Sequence, residues 1–103
     1  MKISKDFLRI NVRLHVMKIA YTKHALKDKL PVLKRFGWNI SKDKIEETIS
    51  NPKWRGVSKY GQETVMSLIN EKHILRVVLR TEDDIITVIT LHIARRGKYE
   101  STL

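Results

Sequence analysis

His92 stands near the end of an almost wholly apolar run, residues 85–94, that leads straight into Arg95-Arg96-Gly97-Lys98-Tyr99. These residue types in this order suit phosphodiester chemistry. Cleaving RNA without a metal needs a base for the 2′-hydroxyl proton, an acid for the leaving 5′-oxygen, and cations for charge building on the phosphorane. An imidazole that titrates near neutrality fits either proton role, which makes His92 the first candidate. Arg76, Arg80, and Arg95 or Arg96 fit the phosphate, because guanidinium forks match its oxygens. Lys98 extends the same basic tail, and Tyr60 and Tyr99 offer rings on which single-stranded bases stack.

Plain structural roles compete with each assignment. A strand-end histidine can be a surface residue, Arg95-Arg96 a solvated tail, and Arg76 the partner of an acid such as Glu63. Trp38 and Trp54 read as core or core-edge residues, and His15 and His73 as surface residues. The sequence holds no histidine pair at metal-ligand spacing, no HExxH, no glycine-rich phosphate loop and no GxSxG elbow. It predicts neither a metal site nor a cofactor.

Alternation and breaks define the elements that must position these residues. Over residues 4–16, Leu8, Ile10, Val12, Leu14 and Val16 alternate with Arg9, Asn11, Arg13 and His15, the pattern of a half-buried strand. The phase slips at Met17, where Met17, Ile19 and Tyr21 become the apolar set, so a bulge sits there or two segments meet. Residues 1–16 are thus an N-terminal extension or an extra strand, with Met17 as an alternative start, and 17–103 form a single domain. Residues 23–30 predict a short helix carrying Leu26 and Leu30, with Leu33 continuing the stripe and Pro31 kinking or ending it. Ser41 caps a second helix, with Asp43 in its first turn, Ile45 and Ile49 on its buried face, and Asn51-Pro52 stopping it. Strand-like runs follow at roughly 53–59, 63–69, 73–80 and 85–94. The order β-α-α-β-β-β-β predicts an α+β fold, two N-terminal helices packed on one face of a four- or five-stranded antiparallel sheet.

The last hairpin allows a sharper expectation. Leu75, Val77 and Leu79 share one face of their strand, and Ile74, Arg76, Val78 and Arg80 the other. An arginine does not face a dry core unpaired, so Arg76 and Arg80 should lie away from the helices and face solvent. A three-residue loop over 82–84 matches core face to core face, pairing Leu79 with Thr87, Leu75 with Leu91, Arg76 with Thr90 and Ile74 with His92. Arg76, Arg80, Thr90 and His92 then share the helix-free face.

Composition bounds what this face can meet. The chain has 103 residues, one domain's worth, with 42% hydrophobic and 31% charged residues and no cysteine. That excludes disulfide and thiolate-metal frameworks and points to a reducing, cytoplasmic setting. No apolar run approaches a membrane span and no signal-peptide core opens the chain, so no membrane partner is expected. The net charge of +10 is carried by the two ends: residues 37–91 hold eight cations and eight acids, whereas 17–36 hold six cations and one acid. Convergence of the ends would make one basic surface suited to phosphates.

Several short segments carry a family resemblance. They are Tyr21-Thr22-Lys23-His24-Ala25, Gly37-Trp38-Asn39-Ile40-Ser41 leading into 45–52, Leu75-Arg76-Val77-Val78, and Val88-Ile89-Thr90 through Tyr99. Over about 17–99 the chain resembles small proteins that begin Thr-x-His-Ala and end in a Val-x-Thr strand followed by basic residues, a group similar to the BrnT- and RelE-type toxins. The resemblance implies a RelE/BrnT-like fold and metal-independent mRNA cleavage on the open sheet face, on free or ribosome-bound RNA. It also implies neutralisation by a small acidic antitoxin. It adds His24, at the start of the first helix, to His92 and Arg76 as catalytic positions. Asp28 stands where relatives often carry an arginine. A non-catalytic RNA-binding module using the same basic face is the competing expectation.

Overall fold

A short alternating segment opens the described chain, residues 18–98 of the computed structural model. It forms strand β1, Lys18–Tyr21, which packs Ile19 and Tyr21 against the core. Helix α1 follows over 24–35 as a π-helical segment, His24–Lys29, continuous with an α-helical one, Leu30–Arg35. Thr22 starts it, its Oγ1 accepting from the Ala25 amide at 3.1 Å and donating to the Ile89 carbonyl at 2.7 Å. The helix does not end at Pro31. The Leu30 amide reaches back five residues to the Ala25 carbonyl. This wider turn precedes the proline ring, which in a regular α-helix would press on the carbonyl four residues back. Helix α2, Lys42–Ser50, carries the expected cap, the Lys44 amide donating to Ser41 Oγ at 3.0 Å, and buries Ile45, Thr48 and Ile49.

Strands β2 (Trp54–Val57), β3 (Glu63–Leu68), β4 (His73–Glu82) and β5 (Ile85–Arg95) complete a five-stranded sheet in the order β1-β5-β4-β3-β2. The fold is α+β as expected, but the sheet is mixed: β1 runs parallel to β5, and the other neighbours are antiparallel. Both helices lie in the chain between β1 and the remaining strands, which gives the long crossover that parallel pairing requires. The β4–β5 register also differs from expectation. Glu82 pairs with Ile85, leaving the two-residue turn Asp83-Asp84, and the register then shifts between Val78 and Leu79. Asp83 takes a φ of 54°, a left-handed conformation that aspartate tolerates. Ile89 is the extra residue of a bulge, so Arg76 pairs with His92 and Val78 with Thr90. Leu79 faces Val88 instead of Thr87, and Ile74 faces Ala94 instead of His92.

Two clusters of buried residues lie on opposite sides of the sheet by strand alternation. One joins Ala25, Leu33, Ile45 and Ile49 of the helices to Val65, Leu75, Val77, Leu79, Ile86, Val88 and Leu91. The other joins Met66, Ile74 and Ala94, with Trp54 and Leu68 partly buried against them. Trp38 packs on the first cluster, its ring 4.8 Å from that of His73, so both tryptophans are core-edge residues. Among the described residues no helix is long and apolar enough to cross a membrane. The strand expected over 4–16, His15, the alternative start at Met17, and Tyr99 lie outside the described residues.

Candidate functional site

Registers of successive strands set up a file of side chains across the sheet. Trp54 pairs with Met66, Met66 with Arg76, and Arg76 with His92. Next to it runs a second file, Gly56, Thr64, Val78 and Thr90. Both lie on the side opposite the helical residues' cluster, because Met66 belongs to the second cluster and its neighbours alternate with the first. Arg76 and His92 therefore share one face of the sheet, opposite the first cluster.

A cavity of about 320 Å³ opens on this face. Arg76, Val78, Thr90 and His92 form its sheet side, and Ser58, Lys59, Tyr60 and Gln62, from the turn between β2 and β3, form its wall. Arg76 does not face solvent freely: it is 8% exposed. Its Nη1 lies 3.4 Å from His92 Nε2. A guanidinium only donates, so the imidazole accepts at Nε2 and carries its own proton on Nδ1. Burial, then the charges of Arg76, Lys29 and Lys98, push the His92 pKa down to about 4. At neutral pH His92 is uncharged, and this corrects the expectation of an imidazole titrating near neutrality. In that state it can take a proton but has no second proton to give as a strong acid.

The wall is built on Ser58. Its Oγ accepts from the amides of Tyr60 and Gln62 at 3.2 and 3.1 Å and lies 3.3 Å from Gln62 Oε1. The Ser58 amide donates to the Gln62 carbonyl at 2.7 Å, and Gly61 donates to the Ser58 carbonyl with a φ of 80° that suits glycine. This tight turn leaves Tyr60 77% exposed, with Lys59 Nζ 5.2 Å from its ring centre.

The remaining candidates are dispersed. His24 is exposed at the start of α1, its Nδ1 3.4 Å from Asp28 Oδ2, and it does not line the cavity. Arg80 is exposed and pairs with Glu82 at 3.2 Å. Glu63 pairs with Arg55 at 3.3 Å, so the anticipated Arg76–Glu63 pair is not formed there. Arg95 ends β5, and Arg96 lies with its guanidinium 5.9 Å from the Trp54 ring centre. Gly97, at a φ of 96°, lets the chain turn back after them, and Lys98 is close enough to act on His92. The charge of Lys29 in α1 acts on the same imidazole. Sequence reasoning missed Ser58, Lys59, Gln62 and Lys29. The Tyr60-Gly61 break marked a turn, but nothing in it showed that the turn walls a cavity. Among the described residues no group of three or more His, Asp or Glu is placed to hold a metal ion. No known protein family, curated protein or solved structure matches the chain.

Proposed function

We propose that the chain is a toxin-like, metal-independent endoribonuclease acting on single-stranded RNA at this cavity. The observation that carries the reading is the Arg76–His92 pair on the cavity's sheet side, a guanidinium held against a neutral imidazole. A phosphate entering the cavity draws the guanidinium, because a charge-assisted bond to an anionic oxygen is stronger than one to a neutral nitrogen. His92 Nε2 is then released to take the 2′-hydroxyl proton. The 2′-oxygen attacks phosphorus, the bond to the 5′-oxygen breaks, and that oxygen takes a proton from Lys59, the ammonium on the cavity wall. The products are a 2′,3′-cyclic phosphate and a 5′-hydroxyl, with Arg76 stabilising the phosphorane charge. We extend the proposal to a RelE/BrnT-like placement of both helices on one face, a cytoplasmic setting and a small acidic antitoxin partner.

One observation favours a binding module instead. Among the described residues the cavity lining holds a single histidine, and His24, the second one implied by resemblance, sits elsewhere on an exposed pair with Asp28. The two readings separate in one assay. RNA and DNA of the same sequence are incubated with the protein in EDTA, both free and as messenger on programmed ribosomes. The ribonuclease cuts RNA alone. RNA that is bound but uncut under both conditions transfers the conclusion to the binding module.

A further inference from the structure

The cavity wall has features that phosphate chemistry does not use. A phosphate needs cations, yet the wall also presents an exposed phenol ring and a carboxamide, on a turn whose backbone amides donate to Ser58 Oγ and whose carboxamide oxygen accepts from it. From this geometry we infer that the 58–62 turn is a base-recognition element, so that the cavity takes one nucleotide with its phosphate at Arg76 and its base on the turn. The inference rests on reading the cavity as an RNA site and adds which part of RNA the wall selects.

Tyr60 supplies the platform. Its backbone amide donates to Ser58 Oγ, which fixes where the side chain leaves the turn, and its 77% exposed ring is open to a stacking base. Gln62 supplies direction. Ser58 Oγ already accepts two amides, so its own proton goes to Gln62 Oε1. With the carboxamide oxygen engaged by Ser58, Gln62 meets a base through its NH₂ group, as a donor. A donor suits the carbonyl oxygens of uracil, cytosine and guanine, whereas adenine has no carbonyl and offers it only ring nitrogens. The volume of about 320 Å³ lies at the small end of ligand pockets, consistent with one nucleotide and not two.

Titration of the full chain with nucleoside 3′-monophosphates, and with ribose 5-phosphate as the base-free probe, tests this. Uridine and guanosine monophosphates should bind about fivefold to a hundredfold more tightly than ribose 5-phosphate, the range of one stacked base. Tyr60→Ala should remove that advantage while ribose 5-phosphate still binds, and Tyr60→Trp should restore it. Adenosine monophosphate should bind about twofold to tenfold more weakly than the uridine form, the scale of one net hydrogen bond, and Gln62→Leu should erase the difference. If the nucleotides bind no better than ribose 5-phosphate, or keep their advantage in Tyr60→Ala, the inference is overturned while the phosphate site stands. If neither probe binds and RNA binding is also absent, the RNA reading of the cavity falls with it.

Discussion

Burial and three cations act on the His92 imidazole in the same direction, and the shift to about 4 has consequences for stability as well as chemistry. In the unfolded chain the ring takes a proton near its ordinary value of 6.5, and in the folded protein only near 4. Between these values the unfolded state holds the extra proton, so stability falls as pH drops through that window. Denaturation measured across it should show this decline, and His92→Gln should lose the part due to the ring; identical slopes in both proteins would contradict the shift. Arg76 sets a different expectation. At 8% exposed it contributes packing as well as charge, so Arg76→Ala should destabilise by more than about 1 kcal/mol, readable as a lower denaturation midpoint. Placing Arg76 off the helical face was legible, because an arginine avoids a dry core. Its burial was not, because alternation tells which face of the sheet a side chain takes and not what lies over that face.

Thr22 links two elements: it caps α1 through the Ala25 amide and ties that helix to the β5 bulge through the Ile89 carbonyl. Thr22→Ala removes both bonds and should cost about 1 to 2 kcal/mol, with most of it recovered by Thr22→Ser, as equilibrium unfolding would show. Unchanged stability in the alanine variant would mean that the helix start is held by other contacts. The bulge it grips could not be read from alternation. Residues 85–90 are β-formers at both parities, Ile-Ile-Thr-Val-Ile-Thr, so their pattern carries no phase. The arginine argument still assigned the faces around Arg76 correctly, because the bulge and the shorter turn together preserve parity there. The parallel pairing of β1 with β5 was equally hidden, since it depends on where two helices carry the chain. The Ser41 cap and the Ile45/Ile49 face were readable because local chemistry alone decides them.

Across the whole molecule, the charges of Lys29 in α1 and Lys98 in the tail both act on His92, which makes them the candidates for a wider phosphate track. Single-stranded RNA binding should therefore weaken with salt by about 0.7 log unit per log unit for each phosphate neutralised. Lys29→Ala combined with Lys98→Ala should flatten that slope, whereas Arg80→Ala, in an exposed pair with Glu82, should leave it nearly unchanged. A slope altered only by Arg80→Ala would place the phosphate track at the far end of β4. The most direct test of the account is the end group left on cut RNA and its dependence on His92. Wild type in EDTA should leave 2′,3′-cyclic phosphate ends, with activity falling on the acid side near pH 4 and not near 6.5, and His92→Gln should slow the cut on the order of 10²-fold or more. RNA left intact by wild type, or cut equally well by folded His92→Gln, would contradict catalysis at this cavity.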